Sequence, residues 1–223
     1  MKLGVLSVVA CLSIASACRE TPVDSPVTPP GKIADFASLY SSNCAGCHGT
    51  DGKGGAAVSL GDPVYLAIAD DSIIRRVASD GVPGTSMPAF AEHSGGMLTD
   101  DQIAIITRGI RGWAKPDSLN PPPYAAQSSG DPTRGAVVYD AYCKSCHGVA
   151  GGGARASSIV DPSYLALVSD QGLRTTVIVG RPEMGAPDWR GNVPGTPMSP
   201  QEVSDVVAWL SAQRPPKLEG AIR

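Results

Sequence analysis

The sequence predicts an all-α protein in which one helical module is written twice. Three observations predict this. The chain aligns with itself at an offset of 99 residues, without gaps over some forty positions. Apolar residues recur at helical spacing behind good N-caps, and no stretch alternates as a half-buried strand would. Gly (26) and Pro (20) make up about a fifth of the 223 residues, while Phe numbers two and Trp three. Short helices joined by tight loops fit that composition, and something other than aromatic side chains must fill the centre.

The chain opens on "MKLGVLSVVACLSIASAC": a lysine, an apolar run containing Cys11, then small residues before Cys18. This reads as an export signal over residues 1–17. Ala15-Ser16-Ala17 before Cys18 resembles a bacterial lipoprotein box, although Ala15 stands where Leu is usual. Cys18 is therefore the expected lipidation site, and residues 18–30, rich in Pro, Ser and Thr, would be a tether. Ordinary cleavage to a soluble periplasmic form, or an uncleaved N-terminal helix, fits the same residues. A bacterial lipoprotein N-terminus carries several acyl chains, as stable anchoring needs. No later stretch reaches the roughly 18 apolar residues of a membrane span.

Domains are expected at 31–115 and 131–214, with a Pro-rich semi-rigid linker at 116–130 and a tail at 215–223. Each domain reads the same way. A helix ("IADFASLYSSN" or "TRGAVVYDAYC") precedes a C-x-x-C-H segment, and a Gly-rich loop follows. A middle helix comes next ("DSIIRRVAS" or "DQGLRTTVIV"), then a Gly/Pro-rich loop carrying Met. A last helix starts behind Thr99 or Ser199. Ile103, Ile106 and Ile110, and Val203, Val206, Val207 and Leu210, mark the buried faces of those last helices.

The repeated segments are Cys44, Cys47, His48 and Cys143, Cys146, His147. A redox-active disulfide would belong in an α/β context that is missing here. A zinc site needs four ligands, and each module offers three. A c-type haem site gives every residue a task. Both thiols lie on one helical turn to take the haem vinyl groups, and the adjacent imidazole supplies an iron ligand. Two covalent haem c groups are expected. Porphyrin would also replace the missing aromatics in a core too small to stand alone.

On these motifs each half resembles a class I cytochrome c, and residues 31–214 resemble a tandem dihaem cytochrome c. The resemblance implies a close crossing of first and last helices, a small residue facing an aromatic one. Gly135 and Trp209 fit it in the second domain; Phe36 and Gly109 fit it in the first with the partners exchanged. It also implies an axial methionine. Met87, in "TSMPAF", matches the Met-Pro motif. Thioether ligation favours the ferrous state and raises the potential. Met97 is expected as a core gap-filler, and His93 as a surface residue. In the second domain Ala186 stands opposite Met87. Met184 would need the loop to slip by about 6 to 7 Å. Met198, at the place of Leu98, would need "RGNVPGTP" to fold it inward. An open or water-bound iron is the third possibility.

Lys+Arg number 18 and Asp+Glu 21, mixed along the chain, which argues against a nucleic-acid partner. Charge steering is weak in both halves. The leading expectation is a periplasmic electron carrier, not an enzyme. It would relay single electrons between redox partners, alone or as a subunit of a respiratory or photosynthetic membrane complex. The alternative is a dihaem oxidoreductase, peroxidase-like or sulfur-oxidising, with an open second haem. Arg181, Glu183 and Asp188 near that haem are read as solvated loop residues. A haem-stabilised docking subunit is a third reading.

Overall fold

The structure is a computed structural model and describes residues 28–113, 115, 120–191 and 195–216. The export segment, Cys11 and Cys18 lie outside the described residues, as does the tail beyond 216. No described helix is long and apolar enough to cross a membrane.

The first set of helices is α1 (Phe36–Asn43), α2 (Ala45–His48), α3 (Pro63–Ile68), α4 (Asp71–Asp80) and α5 (Asp100–Arg111). The second repeats it: α6 (Pro132–Tyr142), α7 (Lys144–His147), α8 (Pro162–Leu167), α9 (Asp170–Val179) and α10 (Pro200–Ala212). Four short 3-10 turns and two isolated β-bridges accompany them among the described residues. The fold is all-α, as expected, in two domains.

Local chemistry explains the helix starts. Asp35 caps α1 by accepting from the Ser38 amide at 2.8 Å. Thr99 and Gln102 close a reciprocal capping box on α5, and Ser199 and Glu202 do so on α10. The short α3 and α8 were not anticipated. Each begins at Asp-Pro: Asp62 and Asp161 accept from the first amides, and proline takes the position that needs no donor.

First and last helices cross as expected, with the large and small partners exchanged. A Cβ added to Gly109 would lie 2.1 Å from a ring carbon of Phe36. One added to Gly135 would lie 2.0 Å from the Asp205 carbonyl oxygen and 2.7 Å from Trp209 Cβ. Aromatics complete both crossings. Trp113 meets Phe36 and Tyr40 edge-on at 5.3 and 4.6 Å, and Trp209 stacks on Tyr139 at 4.3 Å.

A polar lock fastens the second crossing. Asp205 is buried on α10. It accepts from Arg134 Nε (2.8 Å) and Nη2 (2.9 Å), from the Asp131 amide (2.8 Å) and from Gln201 Nε2 (2.9 Å). The Arg134 hydrogen bonds, against the cost of burial, hold its carboxyl down to about 2. A carboxyl depressed in the fold stabilises fully above its unfolded value near 3.9, and that contribution disappears as pH falls through about 2. Thermal melts from pH 7 to 2 should therefore show the parent losing an increment below pH 4 that Asp205→Asn lacks. The variant should be less stable at pH 7 by about 1.5–3 kcal/mol, the worth of hydrogen bonds to a charged group.

Pro123 and Tyr124 of the linker lie on the second domain. Arg174, buried on α9, donates to the Pro123 and Tyr124 carbonyls at 3.0–3.1 Å and to Ser204 Oγ at 3.2 Å. Gln171 donates to the Tyr124 carbonyl at 2.8 Å. One cluster of buried apolar residues runs through both sets, from Leu39 and Tyr65 to Ile178 and Val206.

Met97 departs from expectation: it is 83% exposed. Gly96 presses against the Phe90 backbone, where a Cβ would lie 2.1 Å from the Phe90 carbonyl carbon. The next residue faces out and Leu98, 7% exposed, faces in.

Candidate functional site

Each C-x-x-C-H segment forms one helical turn directly after the first helix of its domain. The Cys47 and His48 amides donate to the Cys44 carbonyl at 3.2 and 3.0 Å; those of Cys146 and His147 donate to the Cys143 carbonyl at 3.1 and 3.0 Å. The turn ends at Gly49 (φ 81°) or Gly148 (φ 76°). A side chain there would be strained, and a Cβ on Gly49 would lie 1.7 Å from the Lys53 carbonyl oxygen. That glycine lets the chain fold back over the turn.

The fold-back loop orients the imidazole. His48 Nδ1 lies 2.9 Å from the Val58 carbonyl oxygen, and His147 Nδ1 lies 2.9 Å from that of Ser157. A carbonyl can only accept, so Nδ1 carries the proton and Nε2 keeps its lone pair. This is the tautomer and orientation an iron ligand needs. A tyrosine fastens each loop: Tyr40 donates to the Gly49 carbonyl at 2.9 Å and Tyr139 to that of Gly148 at 2.6 Å. Sequence reasoning passed over both tyrosines, although they stand 99 residues apart like the motifs. The imidazole acceptors are backbone carbonyls, which carry no residue-type signal.

Cys44, Cys47, Cys143 and Cys146 are all free of disulfides. Burial, and then the neighbouring cysteine, pushes the thiols of Cys44 and Cys143 up to about 11. Cys146 differs: Arg155 Nη2 lies 2.8 Å from its sulfur, and this guanidinium lowers its pKa. The first domain has Ala56 at the equivalent position. Burial lowers the pKa of His48, opposed by the Val58 carbonyl. No group of three or more His, Cys, Asp or Glu among the described residues could hold a metal by itself. The donor set fits covalent haem: two unpaired thiols on one turn and an imidazole presented through Nε2, in both domains.

The methionines are placed differently in the two domains. Met87 is half-buried, with its carbonyl accepting from the Val82 amide at 2.9 Å. Ala186 occupies that place in the second domain, its carbonyl accepting from the Arg181 amide at 2.9 Å. Met184 lies at the turn tip and is 72% exposed. Met198 is 6% exposed, and its amide donates to the Trp189 carbonyl as that of Leu98 does to Phe90. His93 is exposed between Asp80 (3.6 Å) and Asp100 (3.4 Å).

Arg181 and Glu183 are not solvated loop residues, which corrects the sequence reading. Their side chains are 17% and 23% exposed and paired at 2.8 Å. Arg181 also donates to the Ala56 carbonyl at 3.1 Å and to that of Gly55, and Ser59 Oγ donates to Glu183 at 3.0 Å. This clamp joins the second domain's Ala186 loop to the loop following the first domain's C-x-x-C-H. Asp188 is paired with Arg190 at 2.5 Å and is itself largely buried. No local pattern in the sequence marks contacts between residues about 125 positions apart.

A family model described as cytochrome C oxidase, cbb3-type, subunit III matches residues 31–108 and 130–210. The cbb3-type cytochrome c oxidase subunit CcoP of Azospirillum sp. (strain B510) is 36% identical over 138 residues, covering 57% of this chain and 43% of that protein. Cytochrome c6 of Thermosynechococcus vestitus is 29% identical over 103 residues, covering 40% of this chain and 82% of that protein. Among solved structures, the KustC0563 c-type cytochrome is 28% identical with a TM-score of 0.32, covering 36% of this chain and 99% of that one. The chain spans about two-fifths of the length of the CcoP subunits it matches.

Proposed function

The chain belongs to the cytochrome c oxidase, cbb3-type, subunit III family, and from that premise we propose that it is a dihaem electron-transfer cytochrome serving a membrane-bound respiratory complex. Covalent haem c is its cofactor. The observation that carries the reading is the repetition of one complete haem-binding unit, down to the Nδ1–carbonyl distance of 2.9 Å at both histidines.

Cys44 and Cys47 would hold one haem through thioether bonds, with His48 as an iron ligand; Cys143, Cys146 and His147 would hold the other. Bound haem c supplies a one-electron couple. The chain's residues set its properties. The Val58 and Ser157 carbonyls keep each Nε2 basic and unprotonated by accepting the hydrogen bond of Nδ1–H. Met87 would give the first iron a soft sulfur ligand and a raised potential. The loops fastened by Tyr40 and Tyr139 keep the imidazoles in place.

The chain would work in the periplasm, held at the membrane through a lipid on Cys18. Its partners would be redox proteins or a membrane oxidase complex. The "ASAC" stretch supports the anchor, and the similarity to CcoP subunits supports the complex. The chain itself would relay electrons rather than carry out catalysis.

A redox titration of holoprotein followed by near-infrared magnetic circular dichroism tests this. Two haem waves are expected, one with a histidine–methionine signature. Met87→His should remove that signature and lower one potential on the order of 0.1 V, within the ~0.8 V that axial ligands span. A colourless protein, or no sulfur-ligated haem, would overturn the assignment.

A further inference from the structure

We propose that the second domain presents an open iron site that takes small diatomic ligands such as carbon monoxide and nitric oxide, because Ala186 stands at the loop position from which Met87 would supply sulfur in the first. This rests on the reading that both C-x-x-C-H segments carry haem c.

The backbone equivalence is set by contacts on both sides of the residue. The Val82 amide donates to the Met87 carbonyl and the Arg181 amide to the Ala186 carbonyl, each at 2.9 Å. Gly81 lies against Pro88 and the Met87 carbonyl; Gly180 lies in the same way against Pro187, where a Cβ would come within 2.2 Å of its carbonyl oxygen. The turns between differ, with the left-handed residue at Gly84 (φ 73°) in the first and Gly185 (φ 81°) in the second, and the Met87 amide donating to Thr85 Oγ1 where that of Ala186 donates to the Arg181 carbonyl. The two loops nonetheless meet at this residue, and the second delivers a methyl group where the first delivers a thioether. A methyl has no lone pair to give a metal.

Neither nearby methionine stands at that loop position. Met184 sits where Thr85 sits, its amide donating to the Arg181 carbonyl at 2.8 Å as that of Thr85 donates to Val82 at 3.2 Å. Moving it two residues along would break the reciprocal pairing of Arg181 with Ala186, at 2.9 and 3.0 Å. It would also undo the clamp, since Arg181 holds the Gly55 and Ala56 carbonyls and Glu183 holds Ser59. The interdomain contact thus pins the turn in the register that offers alanine. Met198 is buried at the place of Leu98, its amide donating to the Trp189 carbonyl at 2.9 Å. The remaining histidine, His93, is on the first domain between two aspartates. An imidazole-backed ferrous iron with a free distal position binds π-acceptor diatomics; a distal pocket's access and polarity then decide which.

The test uses the full-length holoprotein. Haem per chain is counted by intact mass and by pyridine haemochrome, and the dithionite-reduced protein is mixed with carbon monoxide and followed by Soret difference spectroscopy. Two haems with one carbon monoxide taken up promptly per chain is the expected result. Ala186→Met should abolish that prompt uptake and add a second sulfur-ligated signature, with haem content still two. Met87→Ala should instead create a second prompt site. Two haems with no prompt uptake overturns the proposal; Met184→Ala and Met198→Ala then identify the sulfur responsible by opening the site. One haem per chain overturns the reading beneath it as well, and the mass separates the two failures.

Discussion

A Cys143→Ser/Cys146→Ser chain, matured beside the parent, is expected to weigh one haem less and to keep the sulfur-ligated spectrum of the first domain intact. The two units are chemically separate: each has its own thiol pair, its own imidazole and its own carbonyl to orient it. Serine cannot form the thioether, so haem on the second domain would depend on His147 alone. The core of that domain is small, and its apolar cluster would lose its largest occupant. The variant should therefore show two unfolding transitions where the parent shows one. The mirror variant, Cys44→Ser/Cys47→Ser, should lose the methionine signature and keep the carbon monoxide response. Intact mass and absorption spectra of the pair assign each optical feature to a domain. Retention of two haems by either double variant would falsify covalent attachment at these cysteines.

Gly135→Ala should unfold or severely weaken the second domain, whereas Gly109→Ala should be rescuable. Both glycines let two helices meet, yet they face different obstacles. The Cβ at 135 would strike the Asp205 carbonyl oxygen at 2.0 Å and its carbon at 2.7 Å. Backbone cannot step aside, so α6 and α10 must part, disturbing the Arg134–Asp205 lock and the Tyr139–Trp209 stack. Overpacking of this kind costs about 1–3 kcal/mol and more when backbone is displaced, against the ~1 kcal/mol that alanine gains in a helix. At 109 the obstacle is the Phe36 ring, at 2.1–2.3 Å. Phe36→Ala should therefore recover part of the stability lost in Gly109→Ala, while no single side-chain truncation recovers Gly135→Ala. Thermal melts of the single and double variants measure this as a coupling energy.

The features visible in the sequence were those written into local residue types. Thr99 and Ser199, at the head of apolar runs, announced their helices, and the 99-residue offset announced the repeat. The exchanged Phe36/Gly109 and Gly135/Trp209 partners were legible because the repeat supplied a template for which residue should face which. Asp62-Pro63 and Asp161-Pro162 carried a helix-start signal that was passed over, since six residues are too few to show periodicity. The clamp was illegible for a different reason. Arg181 and Glu183 look like surface charges until the opposite domain brings its loop carbonyls and Ser59 to them. Met97 was misjudged because a glycine before it, not its own polarity, decides which way it points.

The Arg181–Glu183 clamp ties the second domain directly to the loop after the first domain's C-x-x-C-H, so the two modules are joined by more than their tether. On the relay reading, the hop between cofactors then needs no diffusive search. Its rate should be independent of solvent viscosity in glycerol or sucrose. Loosening Arg181 would hand that step over to Brownian motion.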